Sequence, residues 1–175
     1  MKKILLMLVV AVASLTASAQ VYVGGGLGFW HESENDVTTF RLAPSVGYEL
    51  SEKWAIGAEV AYEFVKAGAN VQTMEIAPYA RWSYFNNKAV RLFVDMGFGV
   101  GVVKPEDVDG ETSWNIGARP GIAVKLNDHF SLLAKVGFLG YDQGGAFGEA
   151  GWQKTKRFGF DLDGENLTFG IEYTF

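Results

Sequence analysis

The stretch Trp54-Ala-Ile-Gly-Ala-Glu-Val-Ala-Tyr-Glu-Phe64 decides the fold. Its even positions carry Trp54, Ile56, Val60, Tyr62 and Phe64, and its odd positions carry Ala55, Gly57, Glu59, Ala61 and Glu63. Alternation with a period of two sends successive side chains to opposite faces, so this is a strand with one apolar and one polar face. A helix would scatter the same residues around its axis.

The same alternation extends in both directions. It predicts strands at Val21 to Trp30, Thr39 to Leu50, Trp54 to Val65 and Thr73 to Phe85. Four more follow at Ala89 to Val103, Ser113 to Leu126, His129 to Tyr141 and a last segment ending on Phe175. Most exceed the roughly 9–11 residues that a tilted strand needs to cross a bilayer. Tight polar turns are expected at Ser51-Glu52-Lys53, Asn86-Asn87-Lys88 and Asn127-Asp128. Longer linkers, 31–38, 66–72, 104–112 and 142–156, are expected at the other end. Eight strands return both termini to the tight-turn end.

A weak repeat reinforces this register. Pro44, Pro78 and Pro120 each precede a tight turn by seven or eight residues, on the apolar face of the second, fourth and sixth strands. Proline cannot donate to the ladder, so each position predicts a local bulge or kink.

The apolar face includes Leu27, Phe29, Leu42, Trp54, Ile76, Trp82, Phe98, Ile116, Val136, Phe138 and Ile171, with no charged residue among them. The other face holds Arg41, Glu49, Glu59, Glu63, Glu75, Arg81, Arg91, Asp95, Arg119, Lys125, Lys135 and Glu172, set among Gly, Ala, Ser and Thr. Volume decides which face is inside. An eight-stranded barrel has an interior just wide enough for side chains. The aromatic face would overfill it, whereas glycines and alanines between long charged chains fit. Aromatic residues also gather near the tight turns, as at a membrane interface. The apolar face therefore points outward into lipid. Enclosed charges need partners. A turn about Glu52 sets Arg41 opposite Glu63, and Arg81 falls opposite Asp95 or one step away.

The amino terminus reads as an export signal. Lys2 and Lys3 precede the apolar run Ile4 to Leu15, and Ala17-Ser18-Ala19 follows as a cleavage site. The expected division is 1–19, signal peptide, and 20–175, barrel. Loss of the two lysines would take the net charge from −5 to −7, which disfavours a nucleic-acid partner. The absence of cysteine excludes disulfides, thiolate metal sites and cysteine catalysis.

The chain ends Thr168-Phe-Gly-Ile-Glu-Tyr-Thr-Phe175. Gly170, Tyr173 and the terminal Phe175 fit the outer-membrane assembly signal. With the export signal and eight alternating strands, the chain resembles the small outer-membrane β-barrel family of the OmpA/OmpX type. That resemblance covers nearly all of the mature chain. It implies an all-β, eight-stranded antiparallel up-and-down transmembrane barrel in the outer membrane. It also implies folding by the barrel assembly machinery with periplasmic chaperones, and a monomer among outer-membrane lipid and lipopolysaccharide. No peptidoglycan-binding domain is expected after Phe175. One departure is a change of parity between Phe158–Leu162 and Leu167–Phe175. A bulge at Gly164-Glu165 is expected to absorb it, the alternative being an Asp163-Gly164 hairpin that raises the strand count.

Candidate chemistry is sparse. His31, Ser33 and Glu34 could form a rim group, but they share one short polar loop, and His129 belongs to the opposite end. Asp107-Val-Asp-Gly-Glu111 and Asp161-Leu-Asp-Gly-Glu165 lack the full ligand spacing of a calcium loop and read as turns. Lys154, Lys156 and Arg157 could meet lipopolysaccharide phosphates or sit on a solvated loop. Gly144 to Gly151 lacks the lysine of a phosphate loop. The reading is a non-enzymatic, structural or surface-interacting barrel with no cofactor and no metal. A narrow solute path, a lipid-A-modifying enzyme and a soluble lipocalin-like carrier are the alternatives.

Overall fold

The computed structural model describes residues 21–32, 37–67, 69–106, 109–148, 151–161 and 168–175. The expected signal peptide lies outside them. Ten strands appear: β1 (Val21–Glu32), β2 (Val37–Glu49), β3 (Trp54–Ala67), β4 (Ala69–Asn86), β5 (Val90–Pro105), β6 (Glu111–Lys125), β7 (Phe130–Lys135), β8 (Phe138–Gly148), β9 (Gly151–Asp161) and β10 (Thr168–Thr174). Each of β1 to β6 pairs antiparallel with the next. β6 then pairs with β7 through its tight-turn half and with β8 through its far half. β7 pairs with β10, which closes on β1. β7–β8 and β9–β10 are therefore interrupted single staves, and the described strands make a closed antiparallel barrel of eight.

The alternating residues fall as the pleat dictates. Leu27, Phe29, Met74, Ile76, Phe98, Val100, Ile116, Phe169 and Ile171 are exposed on the outside, while Arg81, Asp95 and Glu172 are buried within. The outer rows end in aromatic rings. At the turn end Trp54 stacks on Trp82, with Tyr84 beside it, and Tyr173 packs against Phe130 and Phe175. At the far end Trp114 stacks on Tyr141. Trp54 and Phe64 are ten residues apart on one strand, about 33 Å of rise, or about 25 Å when tilted as barrel strands are. That equals the height of an outer-membrane hydrocarbon band.

Asparagine and serine side chains make the tight turns. Asn87 Oδ1 accepts from the backbone of Ala89 and Val90 at 2.8 and 2.7 Å, and Asn127 Oδ1 does the same for His129 and Phe130 at 2.9 and 2.8 Å. Ser51 Oγ accepts from Trp54 at 3.1 Å. The far end differs from expectation. In place of two of the expected linkers, strands continue: β3 and β4 stay paired to Ala67↔Ala69, and β8 and β9 to Gly148↔Gly151. In β8 and β9 backbone pairing overrides the local glycine-rich composition.

Each proline interrupts the ladder on the side facing the next strand. β2–β3 pairing skips Ala43 and Pro44, and β4–β5 pairing skips Ala77 and Pro78, without a change of register. At Pro120 the register does change. Ala118 pairs with Leu139 and Gly121 with Lys135, so the β7–β8 stave has one extra residue. This is a β-bulge at Val136-Gly137, where Gly137 has φ 64° and the Val136 amide donates to the Pro120 carbonyl at 3.0 Å. The bulge inverts the parity beyond it. Leu139 is exposed and Phe138 turns into the lumen, which corrects the expectation that Phe138 faces lipid.

The expected bulge at Gly164-Glu165 lies outside the described residues. β9 and β10 on either side run the same way along the β7–β8 stave, whereas an intervening hairpin would have reversed them.

Candidate functional site: the barrel lumen

Inward positions fall into two zones. One chain of ion pairs, alternating in sign, fills the turn-end half and reaches into the far half. Glu49 pairs with Arg91 at 2.9 Å, and Arg91 also pairs with Glu172. Glu172 accepts from Arg81 Nη1 at 2.6 Å. Arg81 grips Asp95 with two bonds, Nε to Oδ1 at 2.6 Å and Nη2 to Oδ2 at 3.0 Å. Lys135 then bridges Asp95 at 3.1 Å to Glu59 at 3.3 Å, and Arg41 joins Glu59 at 3.5 Å to Glu63 at 3.3 Å. Nine side chains from strands β2, β3, β4, β5, β7 and β10 form this chain.

Arg81 is its centre, with 1% of its surface exposed. Its guanidinium carbon lies 4.1 Å from the centre of the Phe93 ring, 5.3 Å from Tyr22 and 5.5 Å from Tyr79. Tyr22 and Tyr79 hydroxyls are hydrogen-bonded to each other at 3.0 Å. These rings lie where the opposing wall is bare. A Cβ at Gly57 would come within 2.6 Å of Tyr79, and one at Gly121 within 2.5 Å of Phe93. Glycine on one strand makes room for an aromatic ring from its neighbour. Ion pairs, rings and glycines together plug the lumen, and beyond them a space of about 40 Å³ holds no more than a few waters.

The far half opens into a vestibule of about 460 Å³, lined among others by Arg41, Glu63, Glu75, Asn115, Arg119, Phe138, Asp142 and Arg157. Arg157 pairs with Asp142 at 2.9 Å. Glu75 accepts a hydrogen bond from Asn115 at 3.2 Å, and Arg119 lies over the Phe138 ring at 5.3 Å.

The sequence profile described as "Outer membrane protein beta-barrel domain" matches residues 4–175. The chain belongs to this family. No curated protein sequence matches it. Among solved structures, this outer-membrane barrel resembles the outer membrane protein OprG from Pseudomonas aeruginosa at 14% identity, covering 89% of this chain and 96% of that one, with a TM-score of 0.55. Neisserial surface protein A is similar at 14% identity, with 90% and 98% covered and a TM-score of 0.55. The N-terminal β-barrel domain of Pseudomonas aeruginosa OprF is similar at 13% identity, with 90% and 98% covered and a TM-score of 0.54. At such identities the likeness speaks to fold. Family membership places the outer-membrane barrel in the outer membrane, among its lipids.

Of the twelve charged residues read as lumenal, nine form the ion-pair chain of this outer-membrane barrel. The other three stand apart: Glu75 bonds Asn115, Lys125 bonds Asn86 Oδ1 at 2.7 Å, and Arg119, opposite Asp95 on β5, forms no ion pair among the described residues. Arg41 and Glu63 are cross-strand partners, and so are Arg81 and Asp95. Sequence reasoning missed Tyr22, Tyr79 and Phe93, although all three have the parity of the charged face.

The two histidines sit at opposite ends of the barrel. His31 Nδ1 is hydrogen-bonded to Thr38 Oγ1 at 3.0 Å, and His129 stacks on Tyr173. Ser33, Glu34, Asp107 and most of 161–165 lie outside the described residues. Among the described residues no cluster of His, Asp or Glu is arranged for a metal. Of the basic cluster, Arg157 is drawn to Asp142 and the Lys154 side chain is not among those described.

Proposed function

We propose that this outer-membrane barrel is non-enzymatic and closed, supporting the envelope while displaying its far-end strands outside the cell. In this reading the turn end and both termini face the periplasm, residues 1–19 are removed on export, and the barrel is a monomer beside lipopolysaccharide. Gly170, Tyr173 and Phe175 serve recognition by the barrel assembly machinery after escort by periplasmic chaperones. The ion-pair chain from Glu49 to Glu63 carries the proposal, because it crosses the lumen and satisfies its charges within the wall. Moving an ion past it requires breaking pairs that are largely desolvated.

The second reading is a narrow solute path, favoured by the open vestibule. Single-channel recording of the refolded barrel in planar bilayers separates them. The closed barrel gives no discrete openings in concentrated KCl at either polarity. Reproducible conductance steps would sink the closed reading and make the path the leading one.

A further inference from the structure

Two vestibule charges of opposite sign have no ionic partner among the described residues. Arg119 of β6 forms no ion pair: Asp95, opposite it on β5, is held by Arg81 and Lys135, and the Arg119 guanidinium lies over the Phe138 ring at 5.3 Å. Glu75 of β4 accepts only an amide hydrogen bond, from Asn115 at 3.2 Å. They line the same cavity and do not pair with each other, whereas the other vestibule charges, Arg41, Glu63, Asp142 and Arg157, are in ion pairs.

The wall between β4 and β6 is the glycine row of β5, Gly97, Gly99 and Gly101. A Cβ at Gly99 would collide with the Glu75 carboxylate and approach Asn115 Nδ2 to 2.7 Å. Bare backbone thus makes the hollow and lets Asn115 hold Glu75 in place.

We propose that this vestibule binds a small zwitterion, with its oxyanion on the Arg119 guanidinium and its ammonium on the Glu75 carboxylate. Arg119 is held over a ring that leaves its donors free for a forked contact. Asn115 occupies part of Glu75 and leaves acceptor positions for an N–H donor. An apolar side chain would lie against Phe138. A free α-amino acid and a phosphoethanolamine head group share this chemistry. The proposal goes beyond the closed-barrel reading and stands whether or not the lumen conducts.

The test is isothermal titration of the full barrel, refolded in a non-ionic detergent, with L-leucine and separately with glycerophosphoethanolamine. At least one binds. Isocaproate, which lacks leucine's ammonium, and L-leucinamide, which lacks its carboxylate, bind roughly tenfold or more weakly if leucine is the occupant, because each leaves one site charge unmet. Arg119→Gln and Glu75→Gln each weaken the zwitterion by a similar factor, and both keep the heat-modifiable mobility of a folded barrel. Leucine alone binding identifies a free solute, and the phosphoethanolamine alone identifies a head group. No binding of either probe overturns the proposal. So does affinity that both variants leave unchanged, or isocaproate binding as tightly as leucine.

Discussion

Arg81→Ala is expected to destabilise the barrel more than any other single truncation in the lumen. The change removes two bonds to Asp95, one to Glu172 and the stacking on Phe93. It leaves Asp95 and Glu172, which expose 6% and 2% of their surface, facing an emptied space. Breaking a buried pair from one side costs about 3–5 kcal/mol, since the remaining charge keeps its desolvation penalty. Lys135 and Arg91 still neutralise one carboxylate each, which places the expected loss toward the lower end of that range. Urea unfolding in lipid vesicles, followed by tryptophan fluorescence, reads the value. The triple change Arg81→Met with Asp95→Leu and Glu172→Leu should recover much of the loss, because matched apolar groups carry no stranded charge. If Arg81→Ala unfolds at the wild-type midpoint, the ion-pair chain is not holding the lumen together.

The second large effect lies on the other face. Ile76 is 60% exposed in the protein alone and sits midway between the aromatic rows, six residues from Trp82. Ile76→Arg places a cation at the centre of the bilayer, where such substitutions cost about 2–4 kcal/mol in outer-membrane barrels. The same change at Val102, near the far-end rim, costs about 0–1 kcal/mol because the side chain reaches the interface. Unfolding both variants in the same vesicles checks the gradient. Equal costs at the two depths would mean that the outer rows do not traverse a membrane.

The features visible in sequence are those set by near neighbours. Period-two alternation in Trp54–Phe64 placed strands and faces, and Asn87 and Asn127 marked turns whose geometry follows from one side chain accepting from two amides. Short turns also fix hairpin register, so Arg41–Glu63 and Arg81–Asp95 could be read by counting. The pairs Arg81–Glu172 and Lys135–Glu59 could not, since they depend on closure across the barrel rather than on any hairpin.

Phe138 shows a different limit. Pro120 announced a kink, but only the pairing reveals that the extra residue sits on the opposite strand, at Val136-Gly137, and turns Phe138 inward and Leu139 outward. Tyr22, Tyr79 and Phe93 were legible by parity. They were hidden by the expectation that a small barrel fills with small residues, whereas here glycine on a neighbouring strand admits a ring.

The account rests most heavily on the even positions of strands such as β4 facing lipid and the odd positions facing the interior. The chain has no cysteine, so single cysteines introduced from Thr73 to Ile76 can each be spin-labelled alone in reconstituted vesicles. Collision with dissolved oxygen, which concentrates in the hydrocarbon, should be high at 74 and 76, which are exposed on the outside, and low at 73 and 75, which line the vestibule. A reversed alternation would put the apolar face inside and turn the barrel into a soluble carrier. The absence of any alternation would contradict the strand register itself.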